Sequence, residues 1–188
     1  MTGASSGIGA ALARHYAAEG ARLGLIGRHR ERLDALVDSL NTECVACVAD
    51  VRDASAMRAA AEQFIARFGI PDIVIANAGV SRGTLSELAE DLPAFQAIFD
   101  INVMGMIHTF QPFIPGMRQQ GRGTLAGIAS VAGLRGLPGA SAYSASKAAA
   151  INYLESLRIE LQDSGVQVCS LCPGYVRTPM TDVNTHTM

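Results

Sequence analysis

Short apolar segments alternate with longer segments of helical periodicity along most of the chain. Strand-like runs rich in Val, Ile, Leu and Ala cover residues 23–26, 45–49, 72–76, 125–129 and 166–172. Helix-like segments cover residues 10–19, 30–40, 54–68 and 142–163, together with a long apolar segment that follows Pro93. Such short runs are typical of strands buried on both faces, and their alternation with helices indicates right-handed crossovers in a parallel sheet. We therefore predict an α/β fold with a doubly wound parallel sheet in three layers, forming one domain over residues 1–188.

Composition narrows the class of protein. Hydrophobic residues make up 49% of the chain and charged residues 17%, which is typical of a folded globular protein. The formal net charge is -2 and the basic residues are scattered, so nothing favours nucleic acid or an anionic membrane as a partner. No apolar stretch reaches the roughly 20 residues needed to span a bilayer, and no signal-like segment opens the chain. We expect a cytoplasmic protein.

The four cysteines form two pairs that resemble halves of a zinc site. Cys44 and Cys47 are three residues apart, as are Cys169 and Cys172. Both pairs fall in strand-like runs, where residues three apart point to opposite faces of the sheet. We therefore expect no metal site, and we predict that all four are reduced cysteines buried in the core.

The first residues predict a phosphate-binding loop. Residues 2–9 read TGASSGIG and run directly into a helical segment that ends at Gly20. Glycines before and at the start of a helix let the backbone approach a pyrophosphate, whose charge is met by the free N–H groups and the helix dipole. The residues that we predict to contact a dinucleotide here are Gly3, Ser5, Ser6, Gly7, Ile8 and Gly9.

Three further loops follow strand-like runs, at the edge of a parallel sheet where ligands bind. Gly27 and Arg28 stand where an acidic residue would bind a ribose 2′-hydroxyl and a cation would bind a 2′-phosphate, so Arg28 favours NADP over NAD unless it is only a solvated surface charge. Asp50 would either cap the next helix or bind an adenine amino group. Asn77, Ala78 and Gly79 form a small-residue turn where backbone can pass close to a ligand.

The segment Tyr-Ser-Ala-Ser-Lys at 143–147 carries the clearest candidate for acid–base chemistry. In a helix, Tyr143 and Lys147 share one face because they are four residues apart. The ammonium favours the phenolate and lowers the tyrosine pKa from about 10, which makes Tyr143 a credible general acid and base. Ser130 could hydrogen-bond the oxygen that exchanges this proton. The alternative is a chance pairing on a half-buried helix.

The long apolar segment after Pro93 carries Asn102 among apolar neighbours. We predict that this asparagine is buried and hydrogen-bonded. We also expect Pro112 and Pro115 to kink or fray the later turns of this helix before Gly121.

In order and spacing, these motifs resemble the short-chain dehydrogenase/reductase family over the whole chain. The matching residues are the loop at 2–9, Asn77, Ala78 and Gly79, then Asn102, Ser130, Tyr143 and Lys147, and finally Pro173, Gly174 and Thr178. One mild departure is Ala76, which replaces the first asparagine of the family's NNAG turn.

The resemblance implies a Rossmann-type fold and an NAD(P)-dependent oxidoreductase that interconverts an alcohol and a ketone or aldehyde. It implies that Tyr143 exchanges the proton, that Ser130 orients and polarises the carbonyl, that Lys147 binds the nicotinamide ribose, and that Asn102 holds a water of a proton relay. It further implies that Asp50 and Val51 contact adenine, and that Pro173, Gly174, Val176 and Thr178 lie beside the nicotinamide.

Two other functions stay open. One is a dinucleotide-binding regulatory or scaffolding module without turnover, although such a module has no need of Ser130, Tyr143 and Lys147 together. The other is epimerisation or dehydration through a transient ketone. The resemblance also implies a homodimer or homotetramer packed through the helix after Pro93 and the helix of Tyr143, although Ala148, Ala149 and Ala150 could equally pack on the chain's own sheet.

Both ends depart from the family pattern. In the family strand order 3-2-1-4-5-6-7 a strand precedes the phosphate loop, whereas only Met1 and Thr2 precede Gly3. The missing strand is the central one, and its neighbours would keep unpaired backbone groups. We expect that the natural polypeptide begins upstream, that the chain is truncated, or that something else fills the gap.

The C-terminal segment that would cover the substrate is also short. Only the 14 residues 175–188 follow Gly174, without the family's last helix and strand. Loops at 81–88 and 131–137 and this segment should line the substrate pocket. We expect the pocket to be open, and the chain to be less active and less stable than a version of family length.

Overall fold

A computed structural model describes residues 1–181 and confirms an α/β fold with parallel strands. The strands are β1 (Leu23–Gly27), β2 (Cys44–Val48), β3 (Ile73–Ala76), β4 (Gly123–Ile128) and β5 (Val166–Leu171). Within these residues, β1 pairs with β2, and β4 pairs with both β3 and β5. Each strand lies within one or two residues of its predicted position, because the apolar runs are short and bounded by turn residues.

The open edges of β1 and β3 lie opposite each other, across the gap that the sequence predicts. Residues 1–4 join them at one end: Thr2 forms a parallel bridge with Ile26, and its amide donates to Ile75 O at 3.0 Å. The amide of Ala4 donates to Ile26 O at 3.1 Å. Residues 1–4 therefore make some of the hydrogen bonds that a central strand would make to both sheets.

Seven α-helices cover the sheets within the described residues. They are α1 (Gly7–Ala18), α2 (Arg30–Asp38), α3 (Ala54–Phe68), α4 (Leu92–Phe99), α5 (Gly105–Phe110), α6 (Ile114–Gln120) and α7 (Ser141–Glu160). The core of the three-stranded sheet joins Phe110, Leu125 and Leu154, all fully buried. A separate cluster packs α1 and α2 on β1 through Ala13, Leu25 and others. None of the helices within residues 1–181 is both long and apolar enough to cross a membrane.

The long helix expected after Pro93 is interrupted twice. Residues Asp100–Met104 form a π-helical segment between α4 and α5. The predicted break at the prolines is confirmed: α5 ends at Phe110, and α6 starts at Ile114 with Pro115 in its first turn. A single π turn changes which face of the helix its residues occupy, and such turns are frequent at functional sites.

The prediction of core cysteines is wrong. Cys169 is exposed, and Cys44, Cys47 and Cys172 are only half-buried, all as free thiols. The reason is that β2 and β5 are the outer strands of the two sheets within the described residues, so they are covered less completely than central strands. Among those residues, no group of three or more His, Cys, Asp and Glu side chains could hold a metal ion.

Ala148, Ala149 and Ala150 of α7 differ in burial, which bears on whether they pack on the chain's own sheet or on another subunit. Ala150 is fully buried in the chain's own core, whereas Ala148 is exposed and Ala149 is half-buried. Part of the alanine-rich surface therefore packs on the chain's own sheet.

Candidate active site

The phosphate loop leads into the N-terminus of α1. Gly3 and Gly7 have φ angles of 62° and 51°, the left-handed region that favours glycine. Ser6 is the N-cap of α1, and its side chain makes no capping hydrogen bond. The first-turn N–H groups of a helix have no intrahelical partner, so this end is suited to an anion.

Thr2 and Asn77 fix the loop to the turn after β3. The Thr2 hydroxyl accepts from the amides of Asn77 and Ala78, both at 3.2 Å. The Asn77 side-chain amide donates to Thr2 O and Gly3 O, both at 3.1 Å. A Cβ at Gly9 would overlap the carbonyl of Gly3, so the first turn of α1 packs directly against the loop. The loop is therefore held in shape by the turn after β3, which is distant in sequence, and by the first turn of α1, which follows it.

A cavity of about 200 Å³ lies beyond the loop, at the carboxyl ends of β1 and β2. Its lining includes the predicted residues Gly3, Ser5, Ser6, Arg28, Asp50, Val51, Ala78 and Gly79. His29 and Arg32 line it too, and the sequence analysis missed both. Arg32 lies in the first turn of α2, directly after the loop of Arg28, and this closeness in sequence to the predicted loop is the signal that could have found it.

Of the two roles left open for Asp50, capping of the next helix is excluded, because another residue is the cap. Asp53 is the N-cap of α3, and its carboxylate accepts from the amides of Ser55 and Ala56 at 2.9 and 3.0 Å. Asp50 instead forms an ion pair with Arg52 at 2.7 Å, and hydrogen bonds from Arg52 lower the pKa of this carboxyl. The charge of Asp50 is thus partly neutralised within its own loop.

A second cavity, of about 170 Å³, brings together Ser130, Tyr143 and Lys147. Ser130 follows the end of β4, and the other two lie on α7 as the spacing predicts. The Lys147 ammonium lies 5.8 Å from the centroid of the Tyr143 ring. Tyr143, Lys147 and Ser130 therefore line one cavity, and Gly174, Val176 and Thr178 line the same cavity.

Lys147 is buried, and none of the carboxylates among residues 1–181 forms an ion pair with it. The residue is only 4% exposed, and its Nζ donates to Ile128 O at 2.8 Å. Burial lowers the pKa of Lys147 from 10.5 to about 8, against a smaller opposing effect of Cys172. Nζ has three N–H donors, so two are left for other partners.

Ser130 is held by the start of the next turn. It is 7% exposed, and Oγ accepts from the amide of Ala132 at 3.1 Å. The hydroxyl proton stays available, because this contact uses the oxygen only as an acceptor. Ser130 can therefore donate a hydrogen bond into the cavity that it shares with Tyr143.

Asn102 is buried and hydrogen-bonded, as predicted, but it lies behind the cavity. Its Oδ1 accepts from Val80 N at 2.8 Å, and Nδ2 donates to Val80 O at 3.0 Å. Nδ2 also donates to Ser146 Oγ at 2.9 Å, and Ser146 donates to Tyr143 O at 2.7 Å. The side chain of Asn102 thus links the loop at Val80 to the helix of Tyr143. Ser146 is a residue that the sequence analysis missed.

The segment after β5 covers the second cavity on one side. Pro173 O accepts from Val131 N at 3.2 Å, and a Cβ at Gly7 would lie 3.3 Å from the Thr178 side chain. The Thr181 hydroxyl donates to Val176 O at 3.1 Å. The predicted substrate cover therefore begins here, and its remainder, residues 182–188, lies outside the described residues.

The structure brings nearly all predicted site residues to the two cavities. The second cavity is lined by Gly3, Ser6, Gly7, Ile8, Asn77, Ala78, Gly79, Ser130, Tyr143, Lys147, Pro173, Gly174, Val176 and Thr178. Only Gly9 and Asn102 line neither, because both are buried behind the loops that they support.

Comparison with known proteins gives consistent matches. The family model described as short chain dehydrogenase matches residues 1–188. An uncharacterized oxidoreductase of Staphylococcus epidermidis is 37% identical over 184 residues, which cover 97% of this chain and 79% of that protein.

Solved structures agree. A short-chain dehydrogenase/reductase from Burkholderia phymatum in complex with NAD has a TM-score of 0.90 and 33% identity, covering 97% of this chain and 66% of that one. An alcohol dehydrogenase from the archaeon Thermococcus sibiricus, complexed with 5-hydroxy-NADP, has a TM-score of 0.83 and 30% identity, covering 94% and 75%. The chain thus spans slightly less than two thirds of the length of the Burkholderia protein.

Proposed function

The chain belongs to the short-chain dehydrogenase/reductase family of NAD(P)-dependent oxidoreductases, and on that premise we propose that it interconverts an alcohol and a ketone with Tyr143 as general acid and base. The observation that carries this proposal is the buried Lys147 beside the Tyr143 ring, in one cavity with Ser130. A lysine charge is costly to bury, and a module that only binds a dinucleotide has no need of this charge together with Tyr143 and Ser130 in one cavity.

The residues fit a dinucleotide. A Cβ at Gly3 would lie 2.9 Å from Ala78 Cα, so only glycine permits the close approach of the loop to the turn. The uncapped end of α1 would hold the pyrophosphate, and the cavities on its two sides would take the adenosine and nicotinamide halves. The bound nicotinamide supplies or accepts the hydride.

Each catalytic side chain then has a defined task. Tyr143 gives its phenolic proton to the carbonyl oxygen of the substrate, or takes it back in the reverse direction. Ser130 donates a hydrogen bond to the same oxygen and stabilises the charge that develops there. Lys147 holds a positive charge near the phenol, and two of its three N–H donors have no partner among residues 1–181 and can bind the ribose. Asn102 and Ser146 fix the helix and loop that position these groups.

We propose NADP as the cofactor, supported by the charges around the adenosine cavity. Arg28, His29 and Arg32 line this cavity, and the one carboxylate among its described lining residues, Asp50, is already paired with Arg52. Guanidinium groups bind phosphate in a bidentate manner, whereas a ribose 2′-hydroxyl favours an acidic partner. Replacing Arg28 with glutamate should weaken NADPH binding at least tenfold and leave NADH binding unchanged or tighter. Equal losses for both cofactors would contradict the assignment.

The test of the oxidoreductase proposal is Tyr143→Phe, measured on a panel of small ketones with NADPH as reductant. We expect a loss of turnover of about 10²-fold or more with cofactor affinity unchanged, since one proton-transfer group typically contributes that much. Tyr153→Phe on the same helix is the matched control and should keep turnover. Cofactor binding without turnover on any substrate would favour the silent module, and conversion without net cofactor change would favour epimerisation or dehydration.

We also propose a homodimer or homotetramer formed through α4 and α7. Leu92 on α4 is 70% exposed and Ile159 on α7 is 68% exposed, so both helices keep apolar surface uncovered by their own chain. Light scattering over a range of concentrations tests this, and a monomer at every concentration would contradict it.

A further inference from the structure

Thr84 is a buried threonine in the loop between β3 and α4. Only 2% of this residue is exposed, whereas its neighbours Gly83 and Leu85 are both exposed. The loop is one of those that we expect to line the substrate pocket. A buried hydroxyl is costly unless it is hydrogen-bonded, so the partners of Thr84 indicate what the residue does in this loop.

The backbone of Thr84 pairs with the segment that leads into α7. Its amide donates to Gly139 O at 2.9 Å, and Thr84 forms a parallel bridge with Ala140. Gly139 has a φ angle of 68°, a conformation that glycine adopts without strain, and α7 begins two residues later. The pairing therefore holds the loop against the start of the helix that carries Tyr143.

The start of α7 has no side-chain cap of its own. The residue at its N-cap position is Ala140, whose methyl group cannot accept a hydrogen bond. The first amides of a helix have no partner within the helix, and Ala142 is fully buried. The Thr84 hydroxyl accepts from the Ala142 amide at 3.3 Å. Thr84 thus takes the part of an N-cap side chain for α7, although it is 58 residues away in the chain.

Ser141 completes the contact between the loop and the helix. Its hydroxyl lies 3.3 Å from the Thr84 hydroxyl, and it donates to Thr84 O at 3.4 Å. The Thr84 hydroxyl can therefore donate to Ser141 Oγ while it accepts from the Ala142 amide. Removing the Thr84 hydroxyl alone would take a partner from both residues at the start of α7.

The same loop is held to α7 at a second point. Asn102 hydrogen-bonds both backbone groups of Val80, and its amide donates to Ser146 on α7. Ser146 follows Tyr143 by three residues, whereas the contact of Thr84 lies one residue before Tyr143. The backbone on both sides of Tyr143 is therefore attached to this loop.

We propose that Thr84 is a positioning residue for the general acid and base: it caps α7 and so fixes the direction of the Tyr143 side chain. Tyr143 is the third residue of α7, in the turn that frays first when a cap is lost. A misplacement of about 1 Å at a reacting group can cost about 10²-fold in rate. The effect of Thr84 on turnover rests on the proposed oxidoreductase function, whereas its effect on the position of Tyr143 does not.

The first test measures the surroundings of Tyr143 directly, by fluorine NMR of the full chain with 3-fluorotyrosine. The chain has four tyrosines, so four resonances are assigned by four Tyr→Phe variants. Thr84→Val keeps the shape of the side chain and removes the hydroxyl. We expect it to shift or broaden the resonance of Tyr143 and to leave that of Tyr153, about three turns further along α7, unchanged. Thr84→Ser keeps the hydroxyl and should restore the wild-type spectrum.

The second test measures turnover on the panel of small ketones with NADPH. We expect Thr84→Val to lower kcat about tenfold to 10²-fold and to change KM for NADPH less than about twofold, because the tyrosine is displaced while the phosphate loop is not. Thr84→Ser should restore kcat. Thr42→Val is the matched control: it also removes a hydroxyl that donates to a backbone carbonyl, Ala21 O at 2.8 Å, and it should keep kcat.

Each outcome bears on the proposal. An unchanged Tyr143 resonance in Thr84→Val would overturn it at any level of turnover. A shifted resonance with unchanged kcat would also overturn it, because Thr84 would then only stabilise the helix. If the wild type reduces no ketone, the oxidoreductase proposal fails, and the fluorine spectrum alone decides whether Thr84 positions Tyr143.

A second variant covers the case in which Thr84→Val does not fold, which the loss of dispersion among all four resonances would reveal. Ser141→Ala removes the hydroxyl that lies beside that of Thr84 and leaves the loop itself intact. We expect it to shift the resonance of Tyr143 and not that of Tyr153. Equal spectra of Ser141→Ala and the wild type would then refute the proposal.

Discussion

Replacing Lys147 with methionine removes a buried charge and keeps a side chain of similar length. In the wild type, Nζ donates to Ile128 O and the residue is 4% exposed, so the ammonium lies in a region of low polarity. We expect turnover to fall about 10²-fold or more, since the phenol of Tyr143 loses the positive charge beside it. The effect on stability depends on pH.

The magnitude follows from the two pKa values. Lys147 has a pKa of about 8 in the folded protein and 10.5 as the reference value for the unfolded chain. Below pH 8 both states are protonated, and the folded state bears the full cost of the buried charge. Between pH 8 and 10.5 the unfolded chain binds more protons, so stability rises with pH. At about 1.4 kcal/mol per pH unit, the wild type should gain about 3 kcal/mol across this window relative to Lys147→Met.

The assay is urea unfolding of both proteins at several pH values from 7 to 11. The difference between the two unfolding free energies isolates Lys147, because every other titrating group is shared. The variant loses the donor to Ile128 O, which costs about 1–3 kcal/mol but does so at every pH. A difference that stays constant across the window would refute the assignment of a buried, charged lysine at neutral pH.

Three further substitutions test the supports of the site. Gly9→Ala should lower the melting temperature and abolish dinucleotide binding, because its Cβ would overlap Gly3 O, whereas Gly136→Ala, which meets no atom, should do neither. Asn102→Ala should cost about 2–3 kcal/mol in urea unfolding, since it leaves the backbone of Val80 unpaired, and the exposed Asn152→Ala should be neutral. Asp53→Ala should lower the melting temperature at pH 7, because the variant loses the cap of α3. Hydrogen bonds from Ser55 and from the amide of Ala56 lower the pKa of Asp53 in the folded protein. The difference in melting temperature should therefore disappear as the pH falls through this lowered pKa. An unchanged melting temperature in any of the three would contradict the corresponding contact.

The strands and most helices could be predicted from the sequence because their local signals agree with the fold. α3 begins and ends at the predicted residues, since Asp53 caps one end and Gly69 follows the other. The positions of Tyr143, Lys147 and Ser130 were predictable for the same reason, because a helix and a strand end fix their directions. Because each of these side chains lies on or directly after a single predicted element, the position within that element was enough to place it at the site.

Contacts between elements could not be predicted in this way. Nothing in the local sequence shows that Asp50 pairs with Arg52 while Asp53 caps α3, because both carboxylates suit a loop before a helix. The π-helical turn that carries Asn102, and its bond to Ser146, depend on packing between α4 and α7. The exposure of Cys169 depends on which strand is outermost, a property of the whole sheet.

The contacts between the two sheets have a consequence for inactivation by heat. The adenosine cavity is lined both by residues after β1 and β2 and by Ala78 and Gly79, which follow β3. α3 contributes Met57 to a buried cluster with Ile26 of β1, and Ala61 to the buried cluster of Val74 on β3. Segments that share buried contacts open as one cooperative unit. On heating, we expect cofactor affinity and the native surroundings of Tyr143 to be lost in the same transition, so that no inactive form with an intact catalytic half accumulates.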